Sequence, residues 1–188
     1  MKTIQIALGL TVLFIALGVG FIYSGLYPMG ADDRHWAVSY RALETLREQS
    51  VKRASRNIQV PDLKNPDLLL SGGADYNDMC AGCHLRPAVS STDLSLGLYP
   101  TPPDLTAPSD EHDHAHPSGD HERDATLRRQ FWIIKHGIKA SGMPAWGKTH
   151  SDERIWAMVA FIQKLPELNE MQYQILTARG ESGPDGHH

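Results

Sequence analysis

Two cysteines are present in 188 residues, and they stand three apart with a histidine directly after the second: Cys80-Ala81-Gly82-Cys83-His84. Two thiols at this spacing lie on one helical turn and can both reach the vinyl groups along one edge of a porphyrin. The adjacent imidazole then swings beneath the ring and can ligate its iron. The pattern Cys-x-x-Cys-His is the signature of covalent c-type haem attachment. A structural disulfide would close a longer loop, and a zinc site would require a second ligand pair at matching spacing, which the chain lacks. One covalent haem c is therefore expected, on Cys80, Cys83 and His84.

A second iron ligand has several candidates: Met143, His136, His150, Met158 and Met171. Met143 lies in the run Gly137-Ile138-Lys139-Ala140-Ser141-Gly142-Met143-Pro144-Ala145-Trp146-Gly147. Its glycines permit sharp turns and Pro144 stiffens the chain beyond the sulfur. A thioether is a soft ligand that raises the potential of a haem. Met143 is thus expected as the sixth ligand, with His136 on the surface and with Met158 and Met171 as packing residues.

A third cluster is His112, His114, His116 and His121, interleaved with carboxylates in residues 110–122. Imidazole and carboxylate together suit copper or zinc. The segment has no periodicity that would preorganise a site, so it reads first as a solvated insertion and second as a weak metal-binding loop.

Helices must position these groups. Residues Ile6 to Tyr23 carry no charge; as a helix they span about 27 Å, close to a bilayer core of about 30 Å. The exit, Ser24-Gly25-Leu26-Tyr27-Pro28, offers no clear cleavage site, so an uncleaved anchor over 1–25 is favoured over a signal peptide. Residues 26–66 are expected to form a spacer helix and a Pro-containing linker. Asp32 or Asp33 would cap that helix, and Trp36, Tyr40, Leu43 and Leu46 form a stripe at helical spacing. The stripe reads as packing on the haem domain, with an interfacial position on the membrane as the alternative. The haem domain is placed at 67–166, with 110–122 inserted in a long loop from 85 to about 121. Within it, helices are expected from Pro66 or Asp67 into the haem motif, from about Arg123 to Gly137 with Leu127, Phe131 and Ile134 inward, and from Ser151 to Leu165. A C-terminal extension, 167–188, holds a short helix over 169–178 and then a disordered tail. No strand is expected. The net charge of −4 excludes the basic surplus of a nucleic-acid binder.

From about Gly72 to Pro166 the sequence resembles a class I, monohaem cytochrome c of the membrane-anchored bacterial type. The resemblance rests on Gly73-Ala74-x-Tyr76-x-x-x-Cys80-x-x-Cys83-His84, Pro102-Pro103-x-Leu105, Ile134-x-x-Gly137, Gly142-Met143-Pro144-Ala145 and Ile155-Trp156-x-x-Val159-x-x-Ile162. It implies an all-α domain, preceded here by the apolar helix and the spacer helix, whose first and last helices cross near the haem with Tyr76 and Trp156 close to the crossing. It also implies that a proline carbonyl accepts the ring hydrogen of the axial histidine, with Pro102, Pro103 and Pro87 all open. Trp132 and Trp146 stay open between lining the haem pocket and core packing. The implied function is single-electron transfer between redox protein partners, not catalysis. The haem domain would lie in the periplasm, tethered to a bacterial inner membrane. The alternatives are a copper- or zinc-handling protein built on the histidine loop, and a haem peroxidase or gas sensor.

Overall fold

The computed structural model describes residues 2–108 and 120–178. Its elements are α1 (Lys2–Ser24), α2 (Ala37–Ser55), α3 (Asp67–Met79), α4 (Ala81–His84), α5 (Asp93–Gly97), α6 (Asp120–His136), α7 (Asp152–Lys164) and α8 (Glu170–Thr177). Among the described residues no strand forms, and only an isolated bridge joins Arg86 and Val89. The fold is all-helical, as expected. Most of the insertion, with His112, His114 and His116, lies outside the described residues, as does the tail from 179 to 188.

The core is built where α3 crosses α7. Along α7, Ile155, Met158, Val159 and Phe161 are fully enclosed. Tyr76 of α3 is equally buried and packs its ring on Phe161 and Tyr173, at centroid distances of 5.4 and 6.5 Å. Trp156 stacks on Phe131 of α6 at 4.2 Å. The crossing depends on Gly72, because a Cβ there would stand 2.0 Å from the Ala157 carbonyl oxygen. Asp75 is buried beside it and takes two hydrogen bonds from Arg154, Nη2 to Oδ1 at 2.6 Å and Nε to Oδ2 at 3.0 Å. A buried carboxylate is tolerable only with such pairing, and the bidentate fork fixes the rotation of α3 against α7.

Helix boundaries follow local chemistry. Ser151 caps α7 by accepting from the Arg154 amide, and Asn169 with Gln172 forms a capping box at α8. The helix α6 buries Leu127, Phe131 and Ile134 on one face, as their spacing predicts.

Three expectations are corrected. The spacer helix starts at Ala37 behind Trp36 with no side-chain cap, so Asp32 and Asp33 do not cap it. Its stripe does not pack on the haem domain: Trp36, Tyr40, Leu43 and Leu46 are 42–67% exposed. The helix instead docks on α6 through Val51 and Ser55, about a quarter turn around, with Glu48 bonded to Arg129. Met171 is 72% exposed and packs nothing, because α8 turns Tyr173 inward instead.

The helix α1 has no buried residue and is long and apolar enough to cross a membrane. An aromatic cluster joins its end to the rest of the chain. Phe21 and Tyr27 meet Trp36, the Tyr27 hydroxyl pairs with His35 Nδ1 at 2.9 Å, and His35 meets Tyr99 edge-on.

Candidate haem site

The chain turns from α3 into α4 at Cys80, which serves both as the C-cap of the first and the N-cap of the second. The amides of Cys83 and His84 both donate to the Cys80 carbonyl, at 3.0 and 2.8 Å. This single turn holds Cys80, Cys83 and His84 together at the end of α3. Cys80 is buried and Cys83 is partly exposed, and both are free thiols rather than a disulfide. Burial, with the Asp75 and Cys83 charges adding to it, pushes the Cys80 thiol up to about 12.

His84 is oriented from three directions. Its Nδ1 lies 2.9 Å from the Pro103 carbonyl oxygen. Its own carbonyl accepts from the Leu105 amide at 3.2 Å and from the Tyr76 hydroxyl at 3.2 Å. The same hydroxyl donates at 2.8 Å to the Leu85 carbonyl. Leu85 leaves α4 at φ 67°, ψ 177°, a region costly for a residue with a side chain, and the Tyr76 bond holds it there. Burial lowers the His84 pKa and the Pro103 bond opposes it, with burial prevailing. A neutral ring that donates Nδ1–H to Pro103 presents the Nε2 lone pair for metal ligation, the arrangement that fixes tautomer and direction in ligating histidines. Of the three prolines open in the sequence, Pro103 makes the bond.

The Met143 loop closes against the end of α6. Gly137 follows α6 at φ +66°, and a Cβ there would stand 2.7 Å from the Met143 carbonyl oxygen. The Ile138 amide donates to that carbonyl at 3.1 Å, and the Met143 amide donates to the Ser141 hydroxyl at 3.1 Å. The backbone is thereby pinned on both sides of the Met143 side chain, and Met143 is partly buried against the core. Pro144 supplies no amide hydrogen to compete.

The other candidates separate from this pair. His136 is exposed beside Trp132. Met158 is wholly within the core. His150 is buried against Trp146, with Nδ1 2.8 Å from the Thr149 hydroxyl. Trp146 is half-buried against the core and Trp132 half-buried outside it. Among the described residues, which include His121, no group of three or more His, Cys, Asp or Glu side chains could hold a metal ion.

The segment between the two motifs, expected as loop, contains a short helix, α5. Thr92 caps α5 in a box with Ser95, and its hydroxyl donates to the Gly82 carbonyl at 2.5 Å. The donor set fits a covalent haem c: two thiols on one turn, an oriented neutral imidazole, and a thioether on a pinned loop. Tyr76, Leu105 and Thr92 add support around the ligands; Tyr76 and Leu105 carry a signal in the sequence motifs, although not for these hydrogen bonds, and Thr92 carries none.

No curated protein and no solved structure matches the chain. A family model described as cytochrome C oxidase, cbb3-type, subunit III matches residues 67–162, just over half of the chain, from the first residue of α3 to the last turn of α7. The span takes in the Cys-x-x-Cys-His turn, the Pro103 carbonyl and the Met143 loop, so the chain belongs to this family of class I c-type cytochromes and carries covalently bound haem c.

Proposed function

We propose that this protein is a membrane-tethered, single-electron carrier whose haem c is held by Cys80 and Cys83 and ligated by His84 and Met143. The observation that carries the reading is the Nδ1 bond of His84 to Pro103, which aims the opposite nitrogen at a metal. Haem c supplies reversible one-electron chemistry at iron. Each residue has a holding role. Cys80 and Cys83 would form the thioether links, His84 and Met143 would ligate the iron, and Tyr76 with Leu105 keeps His84 in register. With His84 and Met143 both holding the iron, a substrate would have no place to bind, which favours transfer over peroxidase or gas-binding chemistry.

The helix α1 would confine the haem domain to a bilayer surface and raise its effective concentration near membrane oxidoreductases. The matched family is named for an oxidase subunit. The reading is therefore a carrier subunit that passes electrons within a respiratory-type oxidoreductase complex, with the haem domain on the periplasmic side of a bacterial inner membrane. Haem attachment favours that side, because c-type haem is attached outside the cytoplasm in bacteria.

The test is the absorption spectrum of the purified full chain in detergent. Low-spin iron is expected in both oxidation states, with the weak Met–iron charge-transfer band in the ferric form. A high-spin ferric spectrum, or rapid carbon monoxide binding by the reduced protein, would overturn the His/Met assignment.

A further inference from the structure

Apolar side chains follow one another along α2 at helical spacing: Trp36 just before it, then Tyr40, Leu43 and Leu46. All four are exposed, because α2 turns Val51 and Ser55 to α6 instead. The place where this stripe begins says what lies against it. Twelve residues separate Ser24, the end of α1, from Ala37, the start of α2. Extended, they would carry α2 about 40 Å away. They fold back instead, so that Trp36 meets Phe21 at 5.8 Å and Tyr27 at 5.0 Å between ring centroids. Phe21 stands in the last turn of α1, about 29 Å along the axis from Lys2. A bilayer core of about 30 Å entered at Lys2 ends there. The stripe on α2 therefore starts at the level of the lipid headgroups.

The charge of α2 suits that surface. From Ala37 to Arg56 there are five basic and two acidic side chains, in a chain whose net charge is −4. Both acids are already engaged, Glu44 by Arg47 and Glu48 by Arg47 and Arg129. Arg41, Lys52, Arg53 and Arg56 form no ion pair among the described residues. Arg53 stands at the edge of the stripe, two turns beyond Leu46. From there its stem can lie along apolar surface while the guanidinium reaches a lipid phosphate.

We propose that α2 lies on the phospholipid bilayer that α1 crosses, with Tyr40, Leu43 and Leu46 at the boundary between headgroups and acyl chains and its unpaired cations on lipid phosphates. The inference rests on the tether reading of α1. It adds a second membrane contact to the first. Because α2 is also packed on α6 and bonded to Arg129, the haem domain is then held at one tilt to the membrane and does not swing on a loose stalk.

Nitroxide labels on the full-length holoprotein, in nanodiscs of phosphatidylethanolamine and phosphatidylglycerol, test this. Each label sits on one added cysteine, in Leu13→Cys, Leu43→Cys, Thr45→Cys or Leu46→Cys. All four positions are exposed, so the substitutions leave the core untouched. Spectra are read in the reduced protein, whose low-spin iron is diamagnetic. Oxygen concentrates in the bilayer and a nickel chelate in water, so the ratio of the two accessibilities reports depth. That ratio should be about threefold or more higher at the Leu43 and Leu46 sites than at Thr45, which stands on the far side of α2 from the stripe. Equal ratios at the three sites would overturn the proposal. So would Leu43 and Leu46 labels shielded from both reagents, the sign that protein or haem covers the stripe. A deep label at the Leu13 site beside either of these results would leave the tether standing. A label exposed to water at Leu13 would overturn the tether and this proposal with it.

Discussion

Met143 and Gly137 form one device. On the proposed ligation the sulfur must be held toward the iron by the backbone on either side, and Gly137 lets α6 end tightly enough for its neighbour Ile138 to bond the Met143 carbonyl. Met143→Ala should leave haem attachment intact, remove the Met–iron band and lower the reduction potential; Met143→His should restore low-spin iron without the band. Gly137→Ala is the sharper test, since it changes no ligand. Its Cβ would meet both the Met143 carbonyl and Pro144 at 2.7 Å while the backbone sits at φ +66°. The Met–iron band should weaken or vanish in the ferric spectrum although every ligand is present. These side chains were legible in the sequence because the chemistry dictates residue types at close spacing. The Pro103 bond was not, since Pro87, Pro102 and Pro103 are equivalent until the chain path between them is known. Tyr76 read as a packing aromatic, and its hydroxyl gained a role only when Leu85 took up a positive φ across from it.

Helix against helix, the close approach of α3 and α7 is the strongest constraint. Gly72→Ala would force Cβ to 2.0 Å from a backbone oxygen that cannot move without shifting α7. A destabilisation of about 3 kcal/mol is expected, read as a lower thermal midpoint of the holoprotein. The α2–α6 contact is weaker and pH-dependent. Burial alone would raise the Glu48 pKa, but the hydrogen bond and charge of Arg129, with Arg47, outweigh it and hold the carboxyl below its ordinary value of 4.5. A depressed folded pKa means that the contribution is present above the unfolded value and is lost as pH falls through the folded one. Thermal midpoints of wild type and Glu48→Gln should therefore differ near neutrality by the equivalent of at most about 1 kcal/mol, the pair being partly exposed, and converge as pH falls through the lowered pKa of Glu48. The core helices were legible because α6 and α7 bury residues at a 3.6-residue period. The spacer helix misled because its stripe has that period too, but Val51 and Ser55 are what meet α6. Periodicity identifies a face without saying what covers it. The helix α5 is not visible as a pattern, because five residues hold no period and only its cap marks it.

Across the whole molecule, the haem domain and the apolar helix are joined by little. No side chain of α1 is buried, so its 23 residues contribute nothing to the core that Tyr76, Phe161 and Trp156 build. What links them is the cluster of Phe21, Tyr27, His35, Trp36 and Tyr99, a set of partly exposed rings of the kind that favours a membrane–water interface. Such an arrangement separates anchoring from folding. A helix of this length spans about 35 Å, enough for a bilayer core of about 30 Å with some tilt. Removal of residues 1–25 should therefore leave the absorption spectrum and the thermal midpoint of the haem domain within error of the full chain. The same deletion should move the protein from the membrane pellet to the supernatant in an alkaline carbonate wash. Full-length protein that is released by carbonate would refute the tether, and a truncated protein that loses its haem spectrum would show that α1 supports the fold after all.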